Sequence, residues 1–436
     1  MTAKPRQLHL NLFGVGTGRH EASWRHPDTN PFDAFGIQAL QRNAQLAERG
    51  KFDAVFYADS PWIGPMSPHG VRASLDPVVT LSAVAAVTTR IGLIATLSTT
   101  YGAPFTVARA LASLDQVSGG RTGWNVVTTS EAAVAANFGD EPFPGHDERY
   151  ARAEEFVDVV LALWDSWEHG ALLADKANGI HADLDKIHAI DFVGKYFNVR
   201  GPLNVPRSPQ ERPLIVQAGS SPVGRAFGGK YADAIFTAQP LLAGAQQAYA
   251  DVKGHAVAAG RHPDAVKVLP GLCPVIGDTE QAARDLLAEL NELVIPSFGI
   301  SSLHNITGID LTGLPLDDPL PDRLGDDDSF QGLTSRLQVV RSLAQGEDLT
   351  VRQLLHTFAA GFGHKMVVGT PEQVADEMQF LFENQAADGF NIMPPLVPRS
   401  LQDFVDQVVP LLQSRGIFRH DYEGPTLRSH YDAELA

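Results

Sequence analysis

Short apolar segments alternate with stretches of helical period along this chain, and the alternation repeats eight times. The strand-like segments are Leu8–Gly14, Phe52–Ala58, Ile91–Leu97, Gly123–Thr129, Leu214–Ala218, Ala234–Thr237, Val266–Ile276 and Gly389–Met393. Helical patterns lie between them. In Phe35–Arg49, for example, Ile37, Leu40, Ala44 and Ala47 share one face and Gly50 stops the run. Strands separated by helices pair in parallel through right-handed crossovers. Eight such units predict an α/β chain closed into a (β/α)8 TIM barrel rather than an open doubly wound sheet. A dinucleotide-binding sheet would carry a Gly-x-Gly-x-x-Gly turn opening a helix after its first strand. Gly14-Val15-Gly16-Thr17-Gly18 is glycine-rich, but no helical pattern begins there.

The whole chain, residues 1–436, reads as one such domain. Two segments break the repeat: 171–213, with a hairpin-like core around Gly194-Lys195, and 297–347, with three prolines and the Asp326–Asp328 run. Loops of that length are usually functional, so both are expected as insertions at the C-terminal face of the strands. The polar tail 416–436 is expected to wrap a neighbouring surface.

Composition narrows the partners. Lys and Arg total 34 against 51 Asp and Glu, a net charge of −17, which argues against a nucleic-acid partner. The one cysteine, Cys273, excludes an intrachain disulfide and a thiolate metal cluster, and no metal site is expected elsewhere. The apolar run Leu8–Val15 is broken by His9, Asn11 and Gly14, too short and too interrupted for a secretory signal. No apolar run has the length of a membrane helix. The expectation is a cytoplasmic protein without membrane contact.

The segment Ser118–Ser130 carries the most local information. Gly119 and Gly120 suit the left-handed backbone that ends a helix. Trp124, Val126 and Val127 call for burial, while Asn125, Thr128 and Thr129 offer hydrogen bonds. A strand apolar at its base and polar at its C-terminal tip suits a barrel, whose ligand site lies at that end.

Several further segments, taken in order, resemble the bacterial-luciferase-like flavin monooxygenases, in the branch with the nitrilotriacetate, EDTA and dibenzothiophene-sulfone monooxygenases. They are Gly18–Pro27 (GRHEASWRHP), Phe56-Tyr57-Ala58-Asp59, Ser118–Thr128, Asn137-Phe138-Gly139, His146–Tyr150 (HDERY), Gln217–Pro222 (QAGSSP) and Gly389-Phe390-Asn391. The resemblance implies reduced FMN (FMNH2) supplied by a separate NAD(P)H:flavin reductase. It implies transfer of one oxygen atom of O2 to a small organic substrate, often with C–N or C–S cleavage. It also implies a homodimer or homotetramer, and flavin contact for His146 and Tyr150.

The residues themselves are compatible with that site. Asp59, Thr96 and Asn125 end three successive strands, where they can meet the flavin edge or its ribityl hydroxyls. Ser220 and Ser221 precede a helical run, and free N–H groups at a helix start favour a phosphate. His20 is the candidate proton donor. The locally basic Arg19, His20, Arg25 and His26 hint at an anionic substrate, an aminopolycarboxylate or sulfonate. A sulfone in an apolar pocket near Phe13, Phe56 and Trp62 is the other option. Plainer roles stand beside these: a cap for Asp59, an ordinary strand residue for Thr96, a turn for Asn125, surface contacts for His146 and Tyr150, a structural loop for His20. Two other functions stand as alternatives: a deazaflavin-dependent dehydrogenase of the same superfamily, and a non-catalytic flavin-binding protein, a kind that is shorter and lacks some of the barrel strands this chain shows.

Overall fold

The computed structural model describes residues 6–14, 16–64, 67–70, 73–139, 143–219, 221–321, 324, 334–344 and 349–431. Among these, thirteen strands form: β1 (His9–Phe13), β2 (Ala54–Tyr57), β3 (Gly92–Ser98), β4 (Thr122–Val127), β5 (Leu172–Asp175), β6 (Ile180–Ala182), β7 (Phe192–Val193), β8 (Asn198–Val199), β9 (Leu214–Gln217), β10 (Ala234–Thr237), β11 (Lys267–Ile276), β12 (Lys365–Gly369) and β13 (Gly389–Ile392). Eight of them run in the order β10-β9-β4-β3-β2-β1-β13-β11, all parallel, and β10 also pairs with β11. The sheet therefore closes on itself as a (β/α)8 barrel. The eight barrel strands are those expected from the pattern. β12 is additional: it pairs with the outer half of β11, from Leu272 to Ile276, outside the ring.

The two-residue alternation of each strand divides the core. On β3, Leu93 and Ala95 face the surrounding helices while Ile94 turns into the barrel. Trp124 of β4 faces outward, with its ring 5.9 Å from that of Phe156 and 6.2 Å from that of Trp164, both on the helix His146–Asp165. Asn125, the next residue, must then point the other way. Inside the barrel, Phe13, Phe56, Ile94, Val216 and Met393 pack with Leu427 and Tyr431. The helix Pro104–Ser118 stops at Gly119, whose φ of +73° makes it a left-handed cap.

The last two residues of that interior cluster come from the tail. It folds under the barrel and closes the N-terminal end, where Leu427 N–H donates to Gly120 O and the Tyr431 hydroxyl donates to Asn11 Oδ1 at 2.7 Å. The surface it covers is thus the foot of its own barrel.

The segment 171–213 is placed differently from expectation. It leaves the C-terminal end of helix His146–Asp165 and enters β9, so it belongs to the helix-to-strand side, away from the mouth. Its hairpin β7–β8 is held on the helix flank by Glu155, which accepts from the backbone N–H groups of Lys195, Tyr196 and Phe197. Further on, Ser208 and Gln210 bind Asp115 at the end of helix Pro104–Ser118. The described parts of 297–347 come after β11 and the helix Glu280–Glu292. They form helices that share a core with the helix Val351–Gly361, built of Leu303, Ile309, Leu337, Leu354 and Phe358. The Asp326–Asp328 run lies outside the described residues.

Candidate active site

The C-terminal tips of β2, β3, β4 and β9 are consecutive around the barrel, and the polar residues expected at the site gather there. Thr96 and Asn125 are direct partners in the β3–β4 register. Both are buried, and Asn125 Nδ2 donates to Thr96 Oγ1 at 2.9 Å. Asn125 Oδ1 is buried without a hydrogen-bond partner among the described residues. A buried carbonyl in that state is a site for a donor from a bound group.

Asp59 lies just past β2, half-buried, and accepts from Ser74 Oγ at 2.6 Å. Burial raises its pKa, the Ser74 bond works against that, and Asp76 adds to the rise. The residue before it, Ala58, follows the end of β2 and is exposed, as is Ala218 beyond β9. Small side chains at these tips leave open space. Loop contacts tie the rim together: Ser98 Oγ and Thr129 Oγ1 are 2.7 Å apart, Thr100 Oγ1 donates to Thr128 O, and Asn137 Nδ2 donates to Pro61 O. Thr129 holds a left-handed φ of +46° at the β4 tip, a strained conformation for a β-branched residue.

The tightest arrangement surrounds Tyr150. His146 opens the helix His146–Asp165, and one turn later Tyr150 places its ring 5.0 Å from the imidazole. The Tyr150 hydroxyl lies among Ser221, Thr128 and Gln217, whose polar groups work against the rise in pKa that burial imposes. It therefore joins the tips of β4 and β9 to the start of helix Pro222–Tyr231. Ser221 caps that helix by accepting from Gly224 N–H at 3.1 Å. A Cβ at Gly219 would stand 2.7 Å from the Tyr150 hydroxyl, and one at Gly224 would stand 2.6 Å away. Glycine at both positions leaves backbone and hydroxyl bare around a helix N-terminus, a cradle suited to phosphate. Ser220 falls outside the described residues. Thr128 was marked in the sequence only as a hydrogen-bonding strand tip and Gln217 only within the QAGSSP match; the spacing of Gly219 and Gly224 around Ser221 was the available signal.

His20 stands apart from this group. It is buried, its Nδ1 accepts from Ala22 N–H at 3.2 Å, and its Nε2 lies 3.2 Å from Asn291 Oδ1. With Nδ1 accepting, the proton sits on Nε2 and is given to Asn291. Burial lowers its pKa to about 4; the Asn291 bond opposes the shift and His356 reinforces it. Proton donation from His20, expected from the sequence, is not what this geometry supports, because the ring is neutral near pH 7 and both nitrogens are engaged by protein. Two of its basic neighbours are also committed to the helix Glu280–Glu292 and its end: Arg25 donates to Leu293 O, and His26 Nε2 lies 3.3 Å from Glu289.

A second group of aromatic residues sits on the barrel axis. The rings of Phe13, Phe56 and Phe236 are mutually 5.4 to 5.8 Å apart. His364 stacks on Phe236 at 5.1 Å with 15° between planes. Phe236 and His364 carried no functional signal in the sequence, because their partners come from distant elements.

Residues 12–388 match the family model for luciferase-like monooxygenases. This chain belongs to that family. It is 48% identical over 435 residues to N-acetyl-S-(2-succino)cysteine monooxygenase of Bacillus subtilis, covering 100% of this chain and 98% of the relative. It is 44% identical over 438 residues to nitrilotriacetate monooxygenase component A of Aminobacter aminovorans, covering 98% and 96%. Among solved structures it superposes on DmoA from Hyphomicrobium sulfonivorans with a TM-score of 0.89 at 31% identity, covering 98% of this chain and 93% of that one. It superposes on a riboflavin lyase solved with modified FMN and riboflavin with a TM-score of 0.84 at 34% identity, covering 98% and 96%. The protein is a flavin-dependent monooxygenase of this family. Likenesses to coenzyme F420-dependent enzymes are at 16–17% identity and extend to the fold alone.

Proposed function

We propose that this monooxygenase binds reduced FMN made by a separate flavin reductase and uses O2 to oxidise a small organic substrate bearing a C–S or C–N bond. The observation that carries the reading is the glycine-bared cradle around the Tyr150 hydroxyl, set beside the open tips of β2 and β9. In this reading Tyr150, Ser221 and the backbone at Gly219 hold the FMN phosphate. Asn125 Oδ1 accepts from a donor of the bound flavin, and Thr96 fixes the orientation of that amide. Asp59 bounds the β2 side of the cleft, and His146 covers the Tyr150 ring. His20 positions the loop 18–26 against Asn291.

When bound, reduced flavin supplies the two electrons: one oxygen atom enters the substrate and the other leaves as water. The chain's own contribution is to bind and orient the reactants and to exclude water from the barrel axis. The reading keeps the cytoplasmic homo-oligomer expected from the sequence.

The test supplies reduced FMN from an unrelated reductase with NADH and O2, and screens thioether, sulfone and aminopolycarboxylate substrates for oxygenated or cleaved product. Product that depends on reduced FMN and O2 is expected. Failure to bind FMN in either redox state would overturn the proposal.

A further inference from the structure

The segment Asn137-Phe138-Gly139 ties together the loops that follow three neighbouring strands. It begins at the end of the turn Ala132–Asn137 beyond β4, in which Val134 and Ala135 are buried and anchor the chain. Past them residues 136–139 are exposed, and two contacts hold them. Asn137 Nδ2 donates to Pro61 O at 3.0 Å, in the loop after β2. The Phe138 ring stacks on that of Tyr101, in the loop after β3, with centroids 4.7 Å apart and 15° between planes. Tyr101 is fixed in turn: its N–H donates to Ser98 Oγ at 3.3 Å, and Ser98 Oγ lies 2.7 Å from Thr129 Oγ1. Since β3 stands between β2 and β4, the Asn137 bond spans the β3 tip. The strand ends it joins carry two buried oxygens without a hydrogen-bond partner among the described residues, Asn125 Oδ1 and Ser60 Oγ. Such atoms mark where a bound group is to be satisfied.

Resting on the function proposed above, we infer that Asn137 and Phe138 are positioning residues. Closed, the strap 136–139 holds reduced flavin against the tips of β2, β3 and β4; it opens to exchange the flavin by parting from Pro61 and Tyr101. Flavin reduced on another protein has to enter, and its oxidised form has to leave, in every turnover. The cleft therefore needs a part that opens at little cost. An exposed hydrogen bond and a ring stack with one half-exposed member are contacts that water can replace. Closed, the strap keeps water from the flavin. Open, it favours the unproductive reaction, in which reduced flavin and O2 give oxidised flavin and hydrogen peroxide.

The experiment uses FMN, oxidised and reduced, as its probe and needs no substrate. Stopped-flow fluorescence gives the rate of FMN dissociation, and mixing the reduced FMN complex with O2 gives the rate of hydrogen peroxide release. Asn137→Ala and Phe138→Ala should each raise both rates by about fivefold or more, the scale of one lost hydrogen bond or ring pair. The ratio of FMN to riboflavin affinity, set at the phosphate cradle, should stay constant, and the melting temperature should stay within a few degrees. Phe138→Tyr, which keeps the stack, should restore both rates. Amide exchange of residues 136–139 in the flavin-free protein should quicken in Asn137→Ala. If wild type binds flavin while both alanine variants release it and peroxide no faster, the inference is overturned. Release from Phe138→Tyr as fast as from Phe138→Ala would overturn it too. Wild type that binds no flavin would instead overturn the function proposed above.

Discussion

Arg419 Nη2 donates to Asp53 Oδ1 across 2.6 Å, joining the C-terminal tail to a carboxylate buried at the foot of β2. Burial by itself would raise the pKa of Asp53, but Arg419 and His9 outweigh it and bring it down to about 2. The same carboxylate accepts from Leu10 N–H at 2.7 Å. Removing the guanidinium leaves a buried charge short of its partner, at a cost of about 3–5 kcal/mol. Arg419→Met is expected to lower unfolding free energy by that amount in a urea titration, with the flavin site unaltered. A loss below about 1 kcal/mol would show that the tail is not a closure of the barrel.

The pH dependence of stability has a defined shape. The pKa of His20 and that of His430 are each lowered by burial from 6.5 to about 4. Below pH 6.5 the unfolded chain takes up protons that these folded rings refuse, so stability is lost as pH falls from 6.5 to 4, by up to about 3 kcal/mol for each group. Asp115 acts in the other direction. Burial raises it to about 6, so its stabilisation is present below pH 3.8 and is lost as pH rises through 6. Asp53 adds a further loss of about 2 kcal/mol between pH 3.8 and 2. Replacing His20 with Gln should flatten the slope between pH 6.5 and 4. Parallel stability curves for the two proteins would show that the ring does not resist protonation.

Thr96→Val keeps the shape of β3 but removes the acceptor for Asn125 Nδ2. A buried amide donor left without its partner costs about 1–3 kcal/mol. A freed amide can also turn, so FMN affinity should fall together with stability. Asn125→Ala removes both groups of the amide and should lose FMN affinity with a smaller stability loss. Titration of flavin fluorescence and thermal unfolding separate the two effects. Unchanged FMN affinity in both variants would remove this rung from the site.

What could be read before the structure follows a physical division. The barrel strands were legible because apolar runs bounded by helical periods are local signals, and the inward Asn125 beside the outward Trp124 follows from the two-residue alternation. The segment 171–213 was misplaced at the C-terminal face, because its position between the helix His146–Asp165 and β9 was not used. The burial of His20 was not legible, because its partner Asn291 is 271 residues away. The same holds for the tail: Tyr431 meets Asn11 across 420 residues, and nothing local marks it as an interior residue. β12 was hidden because Lys365–Gly369 lies among glycines and its partner is the distant outer half of β11.

The phosphate cradle offers the sharpest prediction. At Gly224, the third residue of the helix Pro222–Tyr231, a Cβ would meet the Tyr150 hydroxyl at 2.6 Å and Ser221 Oγ at 3.1 Å. Alanine suits a helix better than glycine by about 1 kcal/mol, so Gly224→Ala has no propensity cost and acts through that collision. The hydroxyl must move away from Ser221 or the helix must shift. In either case the donors at the helix start lose their alignment with an anion. Gly224→Ala is expected to weaken FMN binding by at least tenfold while the melting temperature stays within a few degrees. Tyr150→Phe removes the hydroxyl without adding bulk and should weaken FMN more than riboflavin, which lacks the phosphate. Equal losses for FMN and riboflavin would move the phosphate away from the helix start and leave Tyr150 a packing role against His146 and Phe227.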